Sequence, residues 1–148
     1  EAMIAATNKL AAKSDVFMPG LEEGRLFSGA VDPHDIAKFY LDMGVGKVII
    51  KLGDEGSALF ELDSNGSVQK TVVPSFTVNV VDTVGAGDGF ASGVITALLE
   101  GLDTRHLLER ANAVGAIQVT SVSDSEGLPT AEELRDFIAS TPRKELSL

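Results

Sequence analysis

Val81-Asp82-Thr83-Val84-Gly85-Ala86-Gly87-Asp88-Gly89-Phe90-Ala91-Ser92-Gly93 passes from an extended, β-branched lead-in through a Gly-Ala-Gly-Asp turn into an apolar helix. The spacing of Phe90, Ala91, Val94, Ile95 and Leu98 predicts a helix from about Asp88 to Glu100, with Gly101 as its stop. Glycines at 85 and 87 let the chain turn sharply at positive φ and leave room for a ligand beside the main chain. The first N–H groups of a helix have no partner within it, and together with the helix dipole they attract an anion. An aspartate placed there can accept a hydroxyl proton while those donors hold a transferring phosphoryl group. The same residues also suit a plain strand-to-helix turn with an acidic first turn. No GxxxxGK[ST] loop occurs, and the sixth position of a GxGxxG fingerprint is Phe90, which disfavours an NAD-type oxidoreductase fragment. The protein-kinase glycine-loop set is also absent.

Upstream of this turn, Phe76–Val81 reads as a strand. Before it, Ser57–Leu62 and Ser67–Val73 flank Asp63-Ser64-Asn65-Gly66 and read as a β-hairpin. Lys47–Leu52 is a continuous apolar, β-branched run, expected to be a strand buried on both faces, with Gly53-Asp54-Glu55-Gly56 as its turn. Asp32-Pro33 opens a helix bearing Ile36, Phe39, Tyr40 and Met43, which Gly44 ends. Residues 3–13 and Leu21–Phe27 also read as helices, with Asp15–Met18 as a short strand between them. Downstream, Asp103 or Thr104 caps a helix running to about Thr120. Thr130-Ala131-Glu132-Glu133 forms a capping box for a last helix to about Ser140. Residues 142–148, with Arg143 and Lys144, read as an exposed, frayed tail. This order of elements predicts an α/β fold with a mostly parallel sheet. An opening helix with no strand before it suggests a chain that begins partway through a larger domain.

The 148 residues are 44% hydrophobic and 23% charged, which suits one globular domain. There is no cysteine, so disulfides, thiolate metal sites and a cysteine nucleophile are excluded. No leader or membrane-length apolar run is visible, and a cytoplasmic location is expected. A net charge of −10 argues against nucleic acid or an anionic membrane as partner. It leaves open local binding of ATP by backbone amides and a cation.

Segment 81–93 closely resembles the C-terminal signature of the ribokinase-like (PfkB) carbohydrate kinases, in its Asp-Thr lead-in, its GAGD turn, the aromatic two residues later and Gly93. Two further segments are similar to that family, Val48–Gly56 to its strand and turn beside the nucleotide and Ala111–Ala116 to its helix bordering the adenine. The resemblance covers about Ser14 to Leu134. It implies the C-terminal, nucleotide-binding part of a three-layer α/β/α sandwich, without the N-terminal sugar-binding and lid half, in which ATP and Mg²⁺ serve phosphorylation of a sugar or sugar acid. Asp88 is then the catalytic base, and Gly85, Ala86 and Gly87 the anion hole. Gly53 and Gly56 line the nucleotide phosphates or ribose with Lys51 nearby, and Asn112 borders the adenine. Asp82 matches a position near a monovalent-cation (K⁺) site in some members. The family usually carries Asn-x-x-Glu after the strand at Asp15–Met18. Here Gly20 stands in place of the Asn, while Glu23 keeps the position tied, through water, to Mg²⁺. Within the family, Pro19–Gly24 and Asp124–Thr130 most resemble 2-keto-3-deoxygluconate kinases. A homo-oligomer is an expectation for the intact protein only.

Read without the resemblance, each of these residues has an ordinary role. Lys51 would be a solvated strand-end charge, Asp82 a loop cap and Glu22-Glu23 an exposed helix face. His34 and His106 would be surface residues in first helical turns. Asn112 is the exception, since a mid-helix Asn has no intrinsic reason to be there. The rival to an active kinase is a nucleotide-binding fragment that does no chemistry.

Overall fold

The computed structural model describes residues 1–121 and 128–145. Its elements in order are α1 (Ala2–Ala11), β1 (Val16–Phe17), α2 (Leu21–Ser28), α3 (Pro33–Asp42) and β2 (Lys47–Lys51). A short 3₁₀ turn (Gly53–Glu55), β3 (Gly56–Leu62), β4 (Val68–Pro74), α4 (Ala86–Leu99), α5 (Thr104–Gln118) and α6 (Ala131–Ser140) follow. The strands form one sheet in the order β1-β2-β3-β4, so the fold class is α/β as expected. Pairing of β1 with β2 is parallel, Val16 opposite Lys47 and Phe17 opposite Val48, and it extends to a bridge between Gly20 and Lys51. The β3–β4 connection is a tight turn in which the Asp63 N–H donates to Ser67 O at 2.9 Å, too short for a parallel crossover. The part of the resembling segment at Asp124–Gly127 lies outside the described residues.

The chain forms two compact units. The first comprises Glu1–Gly53 and Ala58–Thr71. Its core is Ile36, Ala37, Tyr40 and Leu41 of α3 together with Val48, Ile49 and Ile50 of β2 and Ala58, Leu59 and Phe60 of β3, all buried. Helix α3 begins where the sequence places it, because Asp32 accepts from the His34 N–H at 2.8 Å and Pro33 stands in the first turn. The Tyr40 hydroxyl donates to Asn8 Oδ1 at 2.9 Å, and Asn8 Nδ2 donates to Phe27 O at 2.9 Å, so one polar chain ties α1, α2 and α3.

The second unit comprises Asp54–Ser57 and Val72–Leu148. Helices α4 and α5 pack closely because their facing positions are small. A Cβ built on Gly89 would lie 3.3 Å from the Gln118 Cβ, and one on Gly115 3.4 Å from Ala86 O. Phe76, Ala113 and Ala116 form a core closed by Val78, Leu134, Phe137 and Ile138.

Two expectations change here. The run Phe76–Val81 is not a strand: only Phe76 makes a bridge, to Arg143, while the Thr77 N–H donates to Pro142 O and the Val81 N–H to Val119 O. Its β-branched residues suit extended backbone, but its amides find acceptors outside any sheet. The segment 142–145 is also not frayed. Lys144 N–H donates to Ser75 O at 2.8 Å, the Lys144 ammonium pairs with Asp54, and Arg143 pairs with Glu109 while covering the Phe76 ring. Residues 146–148 of the expected tail lie outside the described residues.

Candidate active site

Helix α4 starts at Ala86, two residues earlier than its apolar periodicity suggests. Gly85 is its N-cap, at φ 80° and ψ −11°, a left-handed conformation that favours glycine. Ala86, Gly87 and Asp88 therefore occupy the first turn. A glycine cap has no side chain to satisfy that turn. The Ala86 N–H reaches Thr83 O at a long 3.3 Å, and the amides of Gly85, Gly87 and Asp88 donate to no acceptor among the described residues. The Asp88 amide is a donor that sequence reasoning had not assigned. The carboxylate of Asp88 is exposed and makes no hydrogen bond or ion pair among the described residues. An opening of bare amides with a free carboxylate beside it can hold an anion and take up a proton. Asp82 shapes the approach, its Oδ1 accepting from the Val84 N–H at 3.0 Å.

Gly56 and Asn112 meet in the same unit. Gly56 is buried at φ 124°, and a Cβ there would fall 2.2 Å from Val73 O and 2.7 Å from Ser75 N. Next to it the fully buried Ser57 donates its hydroxyl to Asn112 Oδ1 at 2.9 Å. Asn112 Nδ2 donates to Val73 O at 3.0 Å and to Pro74 O at 3.3 Å. The amide is thus engaged within the protein, which accounts for an Asn in a helix of small residues. Ser57, hidden in an apolar run, gave no signal in the sequence as its partner. Asp54, in the preceding turn, has its carboxyl held below the ordinary range by the hydrogen bond from Lys144.

In the other unit, Lys51 closes β2 with its N–H donating to Pro19 O, and its ammonium has no partner among the described residues. Its bridge partner Gly20 donates its N–H to Glu23 Oε2 at 2.6 Å. Glu23 therefore caps α2 with one oxygen and keeps the other open, while Glu22 pairs with Arg25. Gly53 is exposed at φ 64° with open space around it. Asp32, His34 and Asp35 come within 4.8 Å of one another, but all are exposed and Asp32 is occupied as the α3 cap. No described helix is long and apolar enough to cross a membrane.

The 2-dehydro-3-deoxygluconokinase of Bacillus subtilis (strain 168) is 44% identical over 137 residues, covering 93% of this chain and 41% of that protein. The crystal structure of ribokinase from Thermotoga maritima matches with a TM-score of 0.75 at 30% identity, over 90% of this chain and 45% of its own. That of aminoimidazole riboside kinase from Salmonella enterica, complexed with aminoimidazole riboside and an ATP analog, matches with a TM-score of 0.77 at 29% identity, over 93% and 46%. The chain thus spans less than half the length of each of these relatives. The family model described as pfkB family carbohydrate kinase matches residues 2–131. The ribokinase-like architecture and the sequence agree, and the chain belongs to the pfkB family of carbohydrate kinases.

Proposed function

We propose that this chain is the nucleotide-handling part of a kinase that moves the terminal phosphoryl group of ATP to a hydroxyl of a sugar or sugar acid. The observation that carries this reading is the first turn of α4, where open amides at Gly85, Gly87 and Asp88 adjoin an unpaired Asp88 carboxylate. The acceptor hydroxyl oxygen attacks the γ-phosphorus as the bond to the ADP oxygen breaks. Asp88 takes the hydroxyl proton, and the amides stabilise charge on the transferring oxygens. Mg²⁺ brought in with the nucleotide would supply positive charge against the phosphates during transfer. Glu23, expected to meet the metal through water, has one carboxylate oxygen taken by the Gly20 N–H and would have only the other to offer. Asp82 is engaged in the loop, and no step is assigned to a monovalent cation.

The gluconokinase relative and the ATP analog in the riboside kinase structure support a sugar acid, 2-dehydro-3-deoxygluconate, and ATP as the substrates. The second reading is a fragment that binds nucleotide without transferring it, favoured by coverage of only 41% of that relative. Calorimetric titration with MgATP, beside an assay of phosphoryl transfer to 2-dehydro-3-deoxygluconate, separates the two. Binding with transfer supports the kinase, binding without transfer supports the fragment, and no binding removes both.

A further inference from the structure

Pro142 decides where the chain goes after α6. The residue before a proline is pushed into extended backbone, and Thr141 ends the helix at φ −90° and ψ 129°. Residues 142–144 then run antiparallel beside Phe76. The Thr77 N–H donates to Pro142 O at 2.8 Å, and the Lys144 N–H donates to Ser75 O at 2.8 Å. Two ion pairs flank this bridge, Lys144 with Asp54 at 2.7 Å and Arg143 with Glu109 of α5. The Arg143 guanidinium also lies 5.1 Å from the centre of the Phe76 ring. Nothing apolar in 142–145 is buried: Pro142, Arg143 and Glu145 are exposed and Lys144 is half-buried. Phe76 packs with Ala113, Ala116 and Phe137, none of which belongs to this segment. The segment is thus fastened by surface hydrogen bonds and charges, while the core beneath it is built from other residues.

We infer that residues 142–145 form an ionic strap that lifts off as one piece while α4 and α5 stay packed, freeing the Asp54 turn and the Phe76 edge together. A segment leaves a folded protein on its own when it buries little apolar surface and its hydrogen bonds lie near solvent. Exposed ion pairs are weak and are weakened further by salt. The Ser75 N–H distinguishes this opening from a wider one, because it donates to Glu55 O at 3.1 Å and not to the strap. Lifting the strap bares the amides of Thr77 and Lys144 and leaves that of Ser75 protected. The strap does not depend on a bound nucleotide.

The test is native-state hydrogen exchange of the whole chain, read amide by amide by NMR, for wild type, Asp54→Asn and Glu109→Gln. Both substitutions lie outside the strap, and each removes one anchoring charge. Loss of an exposed pair predicts about two- to fivefold faster exchange at both Thr77 and Lys144 in each variant. The amides of Ser75, Val94 in α4 and Val114 in α5 should keep their rates. Raising NaCl from about 0.05 M to about 1 M, where the Debye length is about 3 Å, should quicken the same two amides in the wild type and do less in the variants. The salt series carries the test should either variant fail to fold. A Lys144 amide that quickens without Thr77 would mean that the two ends loosen separately and would overturn the inference. A Ser75 amide that quickens with them would overturn it too, by showing that the 75–77 edge itself opens. Unchanged rates, or exchange of Thr77 and Lys144 only together with Val94 and Val114, would likewise rule out a strap that opens on its own.

Discussion

Gly93 of α4 lies so close to Ala111 of α5 that a Cβ on Gly93 would fall 2.7 Å from the Ala111 Cα. The obstacle is backbone, which cannot rotate aside. With Gly89 and Gly115 in the same seam, this contact holds the first turn of α4 at a fixed place on α5. Gly93→Ala gains helix propensity of up to about 1 kcal/mol, but overpacking typically costs about 1–3 kcal/mol. The net expectation is destabilisation, read as a lower denaturant midpoint with an unchanged slope. A stabilised variant would show that the seam is looser than described.

Gly53 and Gly56 offer a paired comparison within one short turn. Both hold positive φ, 64° and 124°, but only Gly56 has backbone atoms where a side chain would go. Gly53→Ala is expected to cost about 1–2 kcal/mol from left-handed strain alone. Gly56→Ala should exceed about 4 kcal/mol, because strain and a backbone clash coincide. Similar melting temperatures for the two variants would contradict the assigned crossing of residues 56 and 73–75.

Much of this fold is legible because caps mark its helices. Asp32-Pro33, Asp103 and the Thr130–Glu133 box each start a helix where the sequence puts one. Phe76–Val81 misleads because β-branched composition reports extended backbone and cannot report which acceptor each amide finds. The tail misleads for a similar reason, since its anchors Ser75, Asp54 and Glu109 are distant in sequence. In the candidate site, the GAGD turn is readable from glycine spacing. The Ser57–Asn112 bond joins residues 55 positions apart, and neither alone announces the other.

Acid should weaken the α5 cap. Asp103 lies below its ordinary value of 3.8, first because the His106 backbone N–H donates to it and then through the His106 ring. Unfolding restores the ordinary value, so the unfolded chain binds the proton more tightly, and stability falls as pH drops through that range. The stability gap between wild type and Asp103→Ala should therefore be full at about pH 5, where an imidazole is protonated and a carboxylate ionised, and narrow as the pH falls below about 4. A gap that stays constant across that range would show that the ionised carboxylate is not what caps the helix.

The central claim is that Asp88 takes the acceptor's proton beside amides that hold the phosphoryl group. The most direct measurement is phosphoryl transfer by Asp88→Asn, made in a kinase completed with the remaining portion of the Bacillus subtilis relative, alongside its MgATP affinity. The account predicts that kcat falls by about 10²–10⁴-fold while MgATP affinity is largely kept. Turnover near that of the unaltered enzyme would contradict it.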